Sequence, residues 1–298
     1  MTCGGPAGTR VIGAVVLTAA TATGAPSLST ATPIVIAHRG ASAYAPEHTF
    51  AAWDLALEMG ADYLEHDLQM TADGELVLLH DDTLDRTARG PAEHCTGAVI
   101  TKTLEQLSHC EVGSWFNDAN PRVADGGFAM QRIPTLRGVL ERYLGRARFY
   151  IETKSPEEAP GMEEKLIALL EEYELLDTTD AGDELPPVIL QSFSPESLVK
   201  LRALAPGATL IQLTPGRMTS WGVRRRLADI AGYADGIGPH QQRVGPALVG
   251  AAHAAGLLVH PYTVNDASKM RSLLALGVDG MFSDRADVLR EVIADHPG

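Results

Sequence analysis

The sequence predicts an α/β fold, a (β/α)8 (TIM) barrel with a small inserted subdomain after its second strand and hairpin. Three observations predict it. From residue 33 onward, short apolar runs alternate with amphipathic helical stretches, the pattern of repeated strand–helix units. Eight strands remain once one hairpin partner is set aside. Polar residues gather where those runs end, and barrel enzymes place their chemistry at the C-terminal ends of strands. The 298 residues, 45% hydrophobic and 21% charged, suffice for one such domain of about 250 residues.

PIVIA opens the series as the first strand. HTFAAWDLALEMG reads as a helix in which Phe50, Trp53 and Leu57 share a face and Gly60 stands where a C-terminal cap is wanted. DYLEHDLQM is the second strand. TADGE is too short for a parallel crossover, which takes about a dozen residues or more. The Asp73-Gly74 turn therefore makes LVLLH an antiparallel hairpin partner. The later strands are RFYIET, PPVILQS, ATLIQL, ADGIG, LLVHPYTV and DGMFSD. Between them, Ser194-Pro195-Glu196 supplies an N-cap, a helix-opening proline and a dipole-favourable acid. Asp266 caps SKMRSLLALG in the same way. Residues from about 83 to 132 break the rhythm and read as an insertion over one end of the barrel, since Gly, Thr, Asp and Asn dominate them.

Residues 1–25 read as a cleaved signal peptide. Arg10 precedes VIGAVVLTAATATGA, an apolar run of signal-core length, and the small residues around Ala22 to Ala25 offer cleavage positions. The run is short for a bilayer span, and no other stretch reads as transmembrane. A secreted protein without stable membrane insertion is expected, with one domain over residues 33–290. Cys3 would leave with the signal. Cys95 and Cys110 remain, an even pair expected to bridge in an oxidising compartment, the alternative being two separate buried thiols.

The formal net charge of -14 argues against nucleic acid as a partner, because phosphate backbones demand a basic surface. A phosphate ester remains an acceptable small-molecule substrate if cations are focused locally. His38 and Arg39 end the first strand. Glu65 and Asp67 lie two apart in the second and project to one face. His80 and Asp81 end the hairpin strand, and Glu152 and Lys154 close YIETK, again two apart. Gln191 ends PPVILQS, Tyr262 and Asn265 close LLVHPYTVN, and Asp284 closes GMFSD. Converging carboxylates repel unless neutralised, and a hard divalent cation, Ca2+ or Mg2+, suits oxygen ligands. Alternatively, Glu65 and Asp67 pair with cations such as Arg86 or Lys154. Arg39 and Lys154 are the cations available to a phosphate group, and two histidines can divide general base and general acid work. His66, His94, His109, His240, His253 and His260 carry no such signal.

HRGASAYAPEHT, GADYLEHDLQMTADGELVLLHDDTLDRT, RIPTL, YIETK, LQSF, YTVND and FSD resemble, in order and spacing, the glycerophosphodiester phosphodiesterase family of secreted bacterial type. The resemblance spans about residues 34 to 288. It implies a metal-dependent barrel with an inserted subdomain. Its implied reaction hydrolyses glycerophosphodiesters, such as glycerophosphocholine and glycerophosphoethanolamine, to an alcohol and glycerol 3-phosphate. By motif, Glu65, Asp67 and Glu152 resemble the ligands of one divalent cation, and His38 and His80 the acid/base pair. Arg39 and Lys154 resemble the phosphate-binding cations, with Gln191 and Tyr262 as further substrate contacts. In the family's usual account the glycerol 2-hydroxyl attacks phosphorus, the head-group alcohol leaves, and water opens a cyclic phosphate. Two departures stand out. The family's Pro-Glu-Asn-Thr appears as Pro46-Glu47-His48-Thr49, and Tyr262 stands where Trp is common.

Three other readings compete. The same barrel could cleave the other ester bond, releasing glycerol and a phosphorylated head group. A phospholipase D-like or sphingomyelinase D-like relative would act on intact lipids and carry an apolar membrane-facing patch, whereas Trp115 and Phe116 are the insertion's only clustered aromatics. A binding module on a decayed barrel is disfavoured because every site position holds a competent residue. Metal identity, head-group preference, the order of the histidines and the oligomeric state stay open.

Overall fold

Alternation within each strand decides which side chains fill the barrel and which meet the helices. In the computed structural model the described residues are 1, 2, 4, 32–176, 185–215 and 222–296. The predicted signal peptide therefore lies almost wholly outside the described residues. The series begins with β1 (Ile34–Ala37), α1 (Phe50–Glu58), β2 (Tyr63–Met70) and β3 (Leu76–Leu78). Residues 83–132 carry the short helices α2 (Ala92–Cys95), α3 (Leu104–Leu107) and α4 (Ser114–Ala119). Then follow α5 (Leu136–Tyr143), β4 (Phe149–Thr153), α6 (Met162–Glu172), β5 (Val188–Ser192) and α7 (Pro195–Leu204). The chain continues with β6 (Thr209–Thr214), α8 (Val223–Ile230), β7 (Gly236–Pro239) and α9 (Pro246–Ala254). It ends in β8 (Leu258–Val259), α10 (Ala267–Leu274), β9 (Gly280–Ser283) and α11 (Ala286–Ala294).

Eight of these strands run parallel in the order β8-β7-β6-β5-β4-β2-β1-β9. Backbone hydrogen bonds join the two ends of that path: Asp279 N to Val259 O at 3.0 Å, Phe282 N to Pro261 O at 3.1 Å and Val264 N to Phe282 O at 2.8 Å. β3 pairs antiparallel with β2, Gln69 opposite Val77, as the Asp73-Gly74 turn requires. The strand expected over LLVHPYTV shrinks to Leu258–Val259, because Pro261 has no N–H to give a ladder. The first helix likewise starts at Phe50 rather than at His48. Thr49 caps it by accepting from Ala52 N, and His48 sits in the left-handed region at φ 54°.

Ile34, Ile36, Tyr63, Tyr150, Ile189, Ile211 and Phe282 pack together inside the barrel. Their neighbours Val35, Ala37, Leu64, Leu68, Phe149 and Ile151 point outward into the larger core beneath the helices. A hydrophobic floor thus closes the barrel interior. Two residues further along the strands stand Glu65, Glu152 and Gln191, and Asp67 lies in register with Glu152, which is itself in register with Gln191. The insertion has a small core of its own, from Leu84 to Ile133, and a Cys95–Cys110 disulfide at a Cα separation of 5.5 Å. Among the described residues no helix is long and apolar enough to cross a membrane.

Candidate active site

Strand period two brings the acids together. Glu65, Asp67 and Glu152 are all buried where β2 and β4 lie side by side. Their surroundings divide them. Burial alone would raise Asp67, but Lys154, His48 and Arg39 hold it well below the usual carboxylate range. Lys154 Nζ lies 3.8 Å from Asp67 and 3.2 Å from Glu152; Arg39 Nε lies 3.3 Å from Asp67. Glu65 gets less support: Arg39 N donates at 2.8 Å and Gln191 Nε2 at 3.3 Å. Burial, followed by the charge of Asp67, pushes Glu65 well above its ordinary value and Glu152 up to about 8. Of the two cations weighed as alternative partners for Glu65 and Asp67, Lys154 pairs with Asp67, while the carboxylate partners of Arg86 are Glu47 and Asp81.

His48, which the sequence leaves without a role, is fully inside this group. Its Nε2 lies 2.8 Å from Asp67 Oδ2, and burial holds its pKa below the ordinary imidazole value. A neutral ring against a carboxylate carries its proton on the facing nitrogen, so Nε2–H donates to Asp67. An asparagine amide would supply the same donor, which explains the departure from Pro-Glu-Asn-Thr. His48 N also donates to Arg39 O at 3.1 Å, and both residues have positive φ. The turn after β1 and the turn before α1 are thus stitched together beneath Asp67.

The two sequence-singled histidines are each oriented by a carboxylate through Nδ1. His38 Nδ1 meets Asp284 Oδ1 at 2.7 Å. Burial alone would raise Asp284, yet hydrogen bonds from His38, Asn265 and Ser42 hold it at about 2. His80 Nδ1 meets Asp81 Oδ1 at 2.6 Å. Asp81 lies at about 2 because Arg86 and His80 outweigh the burial cost. His80 itself is lowered by burial, partly offset by Asp67. With Nδ1 occupied, each imidazole keeps Nε2 for proton exchange.

Gln191 closes one side of the acidic group. Tyr262 stands apart, donating its hydroxyl to Thr214 O at 3.1 Å, with burial and the Glu152 charge pushing it up to about 12. Sequence reading named Asp81 and Asp284 as strand ends but gave them no role, and it passed over Glu47. The signal for Asp81 is adjacency to His80 and for Asp284 the end of the last strand, whereas Glu47 adjoins only His48, which carried no such signal.

The donor chemistry fits a divalent cation. His48, Glu65 and Asp67 place ligand atoms within 4.8 Å of one another, and Glu152 stands across the ladder from Asp67. Around them Arg39 Nε, His48 Nδ1 and Gln191 Oε1 are buried polar atoms without hydrogen-bond partners among the described residues. Three acids and an amide oxygen form a hard-donor set.

Comparison with known proteins agrees with this geometry. The glycerophosphoryl diester phosphodiesterase family model matches residues 38–288. A glycerophosphodiester phosphodiesterase of Bacillus subtilis (strain 168) is 43% identical over 261 residues, covering 87% of this chain and 86% of that protein. Among solved structures, an Oleispira antarctica phosphodiesterase in complex with the product sn-glycerol-3-phosphate is 30% identical at a TM-score of 0.72. It covers 89% of this chain and 98% of that one. A glycerophosphodiester phosphodiesterase from Agrobacterium tumefaciens, also 30% identical, aligns at 0.68 over 87% of this chain and 99% of its own. The family match begins at His38, directly after β1, and ends in α11 behind the last barrel strand, so the chain belongs to the glycerophosphoryl diester phosphodiesterase family and is a phosphodiester hydrolase.

Proposed function

We propose that the chain hydrolyses small glycerophosphodiesters, glycerophosphocholine and glycerophosphoethanolamine among them, to the head-group alcohol and glycerol 3-phosphate. The observation that carries this reading is the pair of imidazoles, His38 and His80, each held through Nδ1 by its own carboxylate. The product named in the Oleispira antarctica complex supports the choice of bond.

Glu65, Asp67 and Glu152 are the residues to hold one divalent cation, Ca2+ or Mg2+, which when bound supplies Lewis-acid charge to the phosphoryl oxygens. Arg39 and Lys154 bind and orient the same group. Arg39 keeps N–H donors beyond those given to Glu47, and Lys154 stays charged because Asp67 and Glu152 outweigh its burial. One imidazole takes a proton from the attacking hydroxyl at Nε2, and the other returns one to the leaving alcohol oxygen. Asp284 and Asp81 stabilise the imidazolium formed at each step. His48 keeps the Asp67 carboxylate oriented, while Gln191 and Tyr262 line the side where the alcohol groups lie. Secretion through the N-terminal segment accords with the Cys95–Cys110 bridge, since disulfides persist in oxidising compartments.

The test is to incubate the purified protein with each diester, with Ca2+ or Mg2+ added to chelator-treated enzyme, and to read the products by 31P NMR. Glycerol 3-phosphate is the expected signal. Phosphocholine or phosphoethanolamine instead would transfer the cleavage to the other ester bond, and no turnover under any condition would reject the reading.

A further inference from the structure

Arg86 lies in neither the acidic group nor the phosphate clamp, yet its guanidinium touches a partner of His80 and a partner of Arg39. Nε donates to Asp81 Oδ2 at 2.6 Å and Nη2 to Asp81 Oδ1 at 3.2 Å. Nη1 donates to Glu47 Oε2 at 2.9 Å and Nη2 to Glu47 Oε1 at 2.7 Å. Asp81 in turn holds His80 Nδ1, and Glu47 accepts from Arg39 Nη1 at 3.1 Å. From the insertion, the Trp115 ring lies over the guanidinium, 5.5 Å from Cζ to the ring centroid.

From this chain of contacts we infer that Arg86 is a positioning residue for the reaction. It forks between Asp81 and Glu47 and thereby fixes His80 and Arg39 relative to one another, with Trp115 of the insertion as its backing. A planar fork gives two N–H bonds to each of the two carboxylates and so fixes their orientation, whereas a lysine is a point charge that can pair with both but orients neither. Nor is stabilising the fold a sufficient account. The side chain is 40% exposed, and exposed ion pairs add little stability. Without Arg86 the two carboxylates would lose their shared cation, and His80 and Arg39 would each lose a fixed anchor. The insertion is then more than a cover: it supplies both the guanidinium of Arg86 and the aromatic face of Trp115 behind it.

The inference rests on the proposed roles of His80 and Arg39, and its test separates the two. kcat and KM for glycerophosphocholine are measured for Arg86→Gln, Arg86→Lys, Asp81→Asn, the Arg86→Gln/Asp81→Asn double variant and His80→Ala, with a melting curve for each. Misplacing a proton carrier by about 1 Å costs up to about 100-fold, so Arg86→Gln should lower kcat by about tenfold or more and raise KM. Its kcat loss should shrink in the Asp81→Asn background, where one of its two paths is already cut. Arg86→Lys should fall between, and it carries the same cycle if Arg86→Gln does not fold. Added guanidinium chloride should restore part of kcat to Arg86→Ala. Wild-type kcat and KM in Arg86→Gln, or a kcat loss that adds in full to that of Asp81→Asn, would overturn the inference. His80→Ala with unchanged turnover would instead sink the role of His80 itself.

Discussion

Cation binding at the buried acids has to displace protons, and the site sets how many. Burial and the charge of Asp67 push Glu152 up to about 8 and Glu65 well above the usual carboxylate range. Asp67 is held well below that range, so it contributes none. The sign follows directly: a carboxyl whose pKa lies above the working pH is neutral there and must ionise before it ligates. With a pKa of about 8, Glu152 is roughly 90% protonated at pH 7, so close to one proton leaves with each cation bound. Affinity should therefore rise about tenfold per pH unit, or more, from about pH 6 to 7.5 and level off above about 8. The assay strips the protein with a chelator and titrates Ca2+ or Mg2+ calorimetrically in buffers of different ionisation enthalpy at one pH. The dependence of the apparent heat on the buffer counts the protons. In parallel, the gap in melting temperature between loaded and stripped protein should widen as pH rises from about 6 to 8. No proton released at pH 7, or an affinity flat across that range, would refute the reasoning.

Four further outcomes are expected. Asp284→Asn leaves the imidazole of His38 without its charged partner and should cost kcat about 100-fold or more with KM little changed, read from steady-state kinetics beside an unchanged circular dichroism spectrum. Gly40→Ala should lower the melting temperature and activity together. Gly40 has φ 87°, and an added Cβ would meet Ala52 Cβ at 2.7 Å and Ala52 C at 2.8 Å, straining the turn that carries Arg39. Trp53→Ala removes a buried ring stacked 4.7 Å from His66 and should cost about 3–5 kcal/mol, measured by urea unfolding. Reducing the Cys95–Cys110 bridge, whose ends lie 15 residues apart, should cost up to about 3 kcal/mol; a thiol titration first confirms that both cysteines are released.

What the sequence made legible, and what it hid, divides along a physical line. Period-two spacing put Glu65 and Asp67 on one face, and the same spacing put Glu152 and Gln191 beyond Tyr150 and Ile189. Local chemistry also gave the caps at Ser194 and Asp266, which accept from Ser197 N and Lys269 N. The hairpin followed from a loop too short to cross. Contacts between distant segments were hidden. His48 reaches Asp67 only because two residues with positive φ turn the β1–α1 connection back on itself, and β-pattern reading has no signal for that. Arg86 lies in a stretch rich in turn residues, where no period points a side chain anywhere. Its partners Glu47 and Asp81 are 39 and 5 residues away.

The same contacts resolve how an acidic chain handles an anionic substrate. With all three ionised, Glu65, Asp67 and Glu152 outnumber the charges of Arg39 and Lys154 by one. A phosphodiester would then meet net negative charge at the floor of the barrel mouth, in a chain of net charge -14. Burial and the charge of Asp67 raise two of these carboxyls, a shift that favours relieving the surplus with protons. One divalent cation relieves it better and reverses the sign, because it adds two charges where each proton adds one. Overall charge and local field are therefore independent here, since the field at the strand ends is set within a few ångströms by low-dielectric walls and fixed groups. Neutralising surface acids far from β2 and β4 should change turnover little, whereas one charge removed among these five residues shifts the local sum by a full unit where the phosphoryl group meets it.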